Sequence, residues 1–173
     1  MQKRNFKTSA SGTASLNGYR RLHIVLLLLP VLIVIGLMMW ARLASRPSNL
    51  GVTSGSLSPC PDSPNCVCSS DPSPLHAIEP FPLHGRPSDS LRQMQKLISA
   101  NPRAKLVEVT DEYLRAEFRS KLFGFVDDVE FYASSEATKM SCRSASRIGH
   151  SDLGANRKRI EMLRQAYDAS PRE

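Results

Sequence analysis

One uninterrupted apolar run dominates the pattern along this chain. Residues 22–41, LHIVLLLLPVLIVIGLMMWA, contain no Asp, Glu, Lys or Arg. At about 1.5 Å of rise per residue such a run spans about 30 Å, the thickness of a bilayer's hydrocarbon core. Pro30 sits in mid-run, where a transmembrane helix tolerates it. His23 lies near one edge and Trp40 at the other, and both ring types suit a membrane interface. The pattern predicts one transmembrane anchor over residues 22–42.

Beyond it the pattern changes twice. Residues 43–58, LASRPSNLGVTSGSLS, have no period and much Ser and Gly, which predicts a flexible linker. Residues 59–87 hold eight of the twelve prolines, which excludes helix and central strand over most of that stretch. Periodicity begins at Ser88. Leu91, Met94, Leu97 and Ile98 fall at helical spacing, with Ser88 or Asp89 as cap. Residues 105–110 form a short strand. Residues 112–122 alternate, with Leu114, Ala116 and Phe118 on one face and Tyr113, Arg115, Glu117 and Arg119 on the other. Gly124 marks a turn. In residues 125–133 Phe125, Val129 and Phe131 oppose Val126, Asp128, Glu130 and Tyr132, and in 138–144 Met140 and Cys142 point inward. A polar loop leads to a final helix over 155–168, whose inner face is Asn156, Ile160, Leu163 and Tyr167.

Helix, four strands, helix with short connections predicts an α+β fold. The expected architecture is a two-layer antiparallel four-stranded sheet with two helices on one face, preceded by one transmembrane helix. The domain runs over 59–168, with a tail at 169–173. About 110 residues suffice for an independent core.

Charge locates the domain. The chain carries 23 Lys+Arg against 16 Asp+Glu, a formal +7. Residues 1–42 contribute +6 through Lys3, Arg4, Lys7, Arg20, Arg21 and Arg42, with no acid, and residues 43–173 contribute only +1. A nearly neutral folded part argues against nucleic acid as a partner. Five cations precede the run and only Arg42 and Arg46 follow closely. The positive-inside rule makes residues 1–21 a cytoplasmic basic tail and puts the domain in the periplasm, anchored in a bacterial inner membrane. A cleaved signal peptide would have a shorter apolar region and an A-x-A site. The acid-free N-terminus also suits an organelle transit peptide. Cys60 lies too far from the run for a lipoprotein.

Three stretches together carry a resemblance: PCPDSPNCV at 59–67, KLFGFVDDVEF at 121–131, and CRSASRIGHSDLGANRKRIEMLR at 142–164. They resemble the family called domain of unknown function 1499, over about residues 59–164. The resemblance implies a shared fold and an envelope or organelle-membrane setting, without an established activity. Cys68 stands where that family usually has serine, and Cys142 where it has an aliphatic residue. His150 fills a position that other residue types occupy, which weighs against an essential role for its imidazole.

A periplasmic domain is an oxidising setting for its cysteines. Cys60 and Cys66 enclose five residues and can form a tight clip, with Pro61 and Pro64 inside it. The two departures from the family pattern suggest a second bond, Cys68 to Cys142. The competing reading is a zinc site using His76 or His84, but the spacings match no usual zinc pattern, and no cofactor is expected.

Asp128 and Glu130 share the outward face of their strand, where Arg115 or Arg119 and Arg143 are expected to pair with them as an exposed charge ladder. A hard-cation site or carboxylate pair is the alternative. Asp127 falls on the core side and needs partners there. Arg147, Arg157 or amides of the final loop are the candidates.

The loop before the last helix supplies the candidate ligand site: Arg143, Ser144, Ser146, Arg147, Asp152, Asn156 and Arg157. Free amides at a helix N-terminus favour an anion, and arginines bind phosphate or carboxylate bidentately. The competing structural reading has Asp152 capping the helix and pairing with an arginine, with Gly149 and Gly154 in tight turns. Cations at 157–159 oppose the helix dipole and need partners of their own. No nucleophile motif is present. The leading reading is a non-catalytic binding or interaction module whose partner is a small anion or an envelope protein. The alternative is a hydrolase or other enzyme acting on an envelope component, with Asp127, Asp128, His150 and Asp152 as acid/base candidates and Ser144 or Ser146 as nucleophile.

Overall fold

The computed structural model describes residues 12–42 and 46–171. Lys3, Arg4 and Lys7 of the expected basic tail, and the side chains of Arg20, Arg21, Trp40 and Arg42, lie outside what is described. The chain forms two units, residues 1–39 and residues 40–173. The first holds most of the helix α1 (Gly12–Arg42), which runs through Pro30. Its window Leu22–Met39 has a mean hydropathy of 2.8, and none of it is buried by the chain. This helix is long and apolar enough to cross a membrane.

The second unit is α+β. Its elements are β1 (Val52–Thr53), β2 (Ser56–Leu57), β3 (Cys66–Cys68), β4 (Phe81–Pro82), α2 (Pro87–Ser99), β5 (Ala104–Val109), β6 (Tyr113–Arg119), β7 (Val126–Tyr132), β8 (Lys139–Ser146) and α3 (Ala155–Ala169). The main sheet has six strands, in the order β3-β8-β7-β6-β5 with β4 also on β8, where four were expected. The two additions come from the proline-rich stretch. Both pair antiparallel with the free side of β8, Cys66 opposite Ala145 and Phe81 opposite Met140. Pro82 thus sits on an edge strand, which proline tolerates.

Alternation along the strands sorts two faces. The inner face buries Leu114, Ala116, Phe118, Val129, Phe131, Met140, Cys142 and Val67 against Leu91, Met94 and Ile98 of α2 and Ile160, Leu163 and Tyr167 of α3. Phe81 meets Phe131 and Tyr167 edge-on, with centroids 5.4 and 5.6 Å apart. Pro87 takes the first position of α2 after Arg86, so neither Ser88 nor Asp89 is its N-cap. Asp89 instead holds Arg86 and Arg92.

The outer face departs furthest from expectation. Residues 46–58 do not run free as the expected flexible linker. They carry the β1–β2 hairpin, and Leu57 packs with Cys68, Tyr113, Cys60 and Tyr132 of the outer face. The amide of Gly51 donates to Glu130 Oε1 at 2.7 Å. The sheet is therefore covered on both sides, by helices on one and by this strap on the other.

The Cys60–Cys66 clip is present, with Cα atoms 5.6 Å apart. Asp71 steadies it by accepting the Cys60 and Ser73 amides at 2.9 and 3.0 Å, which holds its carboxyl below the usual carboxylate range. The suggested Cys68–Cys142 bond is absent, and both thiols are free and buried. Register explains this. Cys68 lies opposite Arg143, so it shares the outer face with Arg143, while Cys142 points to the inner face. Burial pushes both thiols up, Cys142 to about 12.

Candidate functional site

The strand β8 splits the expected site between the two faces of the sheet. Ser144 and Ser146 point with Cys142 and Met140 toward the helices, and Arg143 points away. On the helix side Asn156 is the hub. Its Oδ1 lies 2.6 Å from Ser144 Oγ, and its Nδ2 donates to the Asn65 carbonyl at 2.8 Å and to Ser146 Oγ at 3.0 Å. Arg159 donates to Ser144, to Asn156 and to Asp127, and lies 5.0 Å over the Phe118 ring. Asp127 thus has a core-side partner as expected, but it is Arg159 rather than Arg147, Arg157 or a loop amide.

Arg143 and Arg147 belong to the outer face. Arg143 donates to Glu130 Oε2 at 2.9 Å, and Glu130 also accepts the Tyr113 hydroxyl at 2.8 Å. Arg147 donates to Asp128 at 2.7 and 2.9 Å and to Glu117, while Arg115 reaches Asp128 at 3.1 Å. These carboxylates raise the guanidinium pKa of Arg147, Asp128 most. Arg115 with Asp128 and Arg143 with Glu130 are rungs of the expected charge ladder, Arg147 with Asp128 and Glu117 is an unexpected one, and the setting differs. Arg115 is 2% exposed and Glu130 is 0% exposed, because the strap covers them. Burial changes the energetics by kind. An exposed cross-strand pair contributes about 0.2–1 kcal/mol, whereas removing one member of a buried pair costs about 3–5 kcal/mol.

The rest of the loop is engaged internally too. Asp152 accepts the amides of Gly154 and Asn156 at 3.0 and 2.7 Å, so it satisfies the start of α3, though Gly154 is the N-cap residue. Arg157 donates to the carbonyls of Ala77 and Leu75 at 2.9 and 3.1 Å. Of the cations at the start of α3, Arg159 answers to a carboxylate and Arg157 to carbonyls of the proline-rich stretch.

The acid/base candidates do not converge. Asp127 and Asp128 point to opposite faces, Asp152 serves helix amides, and His150 is exposed. The zinc alternative loses its donors for the same kind of reason. Cys60 and Cys66 are joined, Cys68 and Cys142 face apart, His76 bonds the Cys66 carbonyl and His84 stacks on Tyr167. Among the described residues no group of three His, Cys, Asp or Glu is placed to hold a metal ion.

The family described as Protein of unknown function (DUF1499) matches residues 56–167. The chain belongs to this family. The match covers β2, the whole six-stranded sheet and nearly all of α3, and it leaves α1 outside. Within the DUF1499 match, Arg143 and Arg147 pair with carboxylates of the outer face, while Asn156 and Arg159 tie the inner face to the last helix. No curated protein matches the chain.

Two cavities bear on binding. One of about 180 Å³ lies between the strap and the outer face, lined by Pro47, Leu50, Asp128, Arg143 and Arg147. That is below the roughly 300–1,000 Å³ of small-molecule sites. The other, about 480 Å³, lies within that range. It is a cleft beside α2 and the end of α3, lined by His84, Arg86, Asp89, Arg92, Gln93, Lys96, Leu97, Ala100, Ser170 and Pro171. Asp89, Gln93, Lys96 and Ala100 follow helical spacing along one wall. The His84 ring stacks on Tyr167 at 4.3 Å, and its Nδ1 lies 3.1 Å from Gln93 Oε1. Three cations against one acid give the rim a positive excess. Sequence reasoning missed this cleft because its walls come from segments about 70 residues apart. The only local signal was the polar stripe of α2 opposite its apolar face.

Proposed function

We propose that the chain is a membrane-anchored, non-catalytic binding module. Residues 22–42 anchor it, the N-terminus is cytoplasmic, and the domain stands in the periplasm of a bacterial inner membrane. The excess of cations before the apolar run supports that orientation. Its ligand cleft is the 480 Å³ cleft beside α2, and this cleft is the observation that carries the reading. Its ligand is a small organic anion, a carboxylate or phosphate on an apolar body. Arg86, Arg92 and Lys96 supply the charge, and Leu97, Ala100 and Pro171 supply the apolar wall. The arginines before and at the start of α3 are taken up by the domain's own carboxylates and carbonyls.

Titration calorimetry of the full chain in detergent with phenyl phosphate tests this. Saturable binding is expected, weakened about tenfold in the double variant Arg92→Gln, Lys96→Gln. Both side chains are exposed, and the surface ion pair of Arg92 with Asp89 is worth at most about 1 kcal/mol, so the variant stays folded. Absence of binding to the parent chain, or equal binding to the variant, contradicts the assignment.

A further inference from the structure

The β6–β7 hairpin end differs from the rest of the domain in both charge and polarity. Arg103, Lys105, Arg119 and Lys121 line one concavity with Pro102, Ala104 and Ser120. All four cations are exposed, and one of them, Arg119, reaches an acid, Glu117 at 3.4 Å. The other charges of residues 43–173 sum to −3, so the domain gathers its positive charge here. The hairpin tip beside them is apolar. Leu122 is 72% exposed, and Phe123 and Phe125 are exposed with rings 5.5 Å apart. None of the three belongs to either hydrophobic cluster. The loop leaving the same end of the sheet carries Leu153, 96% exposed and held at φ +53°. A leucine in the left-handed region is strained, and burial offsets none of that strain.

Apolar side chains ringed by cations match the chemistry of an anionic phospholipid surface. Apolar groups enter the boundary of headgroups and acyl chains, while Lys and Arg stay at the phosphates. We propose that this end of the sheet, with Leu122, Phe123 and Phe125 between Arg103, Lys105, Arg119 and Lys121, docks on the anionic lipid of the membrane that holds the chain. The proposal rests on reading α1 as a membrane anchor.

The test uses the full chain in lipid nanodiscs, with Leu122→Cys labelled by an environment-sensitive fluorophore. The native thiols do not compete, because Cys60 and Cys66 are joined and Cys68 and Cys142 are buried. In discs of equal phosphatidylcholine and phosphatidylglycerol the emission is expected to shift to the blue and to return toward the aqueous value with added salt. In phosphatidylcholine alone it stays aqueous. Each cation neutralised by Gln lowers the docked-to-undocked ratio about fivefold, and the fourfold variant loses the shift while keeping its circular dichroism. Equal emission in both discs, or a shift that survives the fourfold variant, overturns the proposal. So does a shift seen only with several chains per disc, which assigns the tip to a second copy. A chain that does not enter discs removes the anchor, and the proposal with it.

Discussion

The two faces of the sheet use the same pleat and bury their side chains under different chemistry. On the inner face Phe118, Val129, Phe131 and Met140 meet α2 and α3 through apolar contact. On the outer face Arg115, Asp128, Glu130 and Arg143 are equally buried and are held by ion pairs and hydrogen bonds under a short strap. Apolar contact is non-directional and tolerates repacking. A buried ion pair tolerates the loss of neither partner, since the desolvated charge left behind has nothing to meet it. The inner face sets whether the domain folds, and the outer face sets what must lie over it.

The largest effect separating the faces is expected from Glu130→Ala. Glu130 is the shared acceptor of Arg143, Tyr113 and the strap amide of Gly51. Its removal is expected to cost about 3–5 kcal/mol, read from the midpoint of urea unfolding. A loss below about 1 kcal/mol would return these charges to an exposed ladder.

A smaller effect sharpens the role of the strap. Leu57→Ala removes its buried leucine from the Cys68–Tyr113 cluster and is expected to cost about 2–3 kcal/mol by the same assay, because a short surface hairpin relaxes partly into the gap. A neutral result would mean that residues 46–58 form the flexible linker their composition suggests.

Much of the inner face was legible in the sequence. The buried residues of α3 are the four at helical spacing, Asn156, Ile160, Leu163 and Tyr167, and alternation sorted Leu114, Ala116 and Phe118 from Arg115. The outer face was legible in its pairing and not in its burial. Charged alternation reads as a solvated face, and what covers it here is a stretch of Ser, Gly and Pro without any period. Strands β3 and β4 escaped notice because each is only two or three residues long among prolines. The loop before α3 displayed its arginines, yet their partners Asp128, Glu117 and the carbonyls of Leu75 and Ala77 lie 19 to 82 residues away. The cleft beside α2 had no motif.

One native thiol lies on each face, and their alkylation under increasing denaturant tests the covered-face claim most directly. Cys68 reports the outer face and Cys142 the inner. Burial disfavours both thiolates, the reactive form. With the strap in place, neither cysteine is modified in the native full chain, and both become reactive at one denaturant midpoint. Modification of Cys68 under native conditions, with Cys142 still protected, would show an outer face open to solvent and contradict the account.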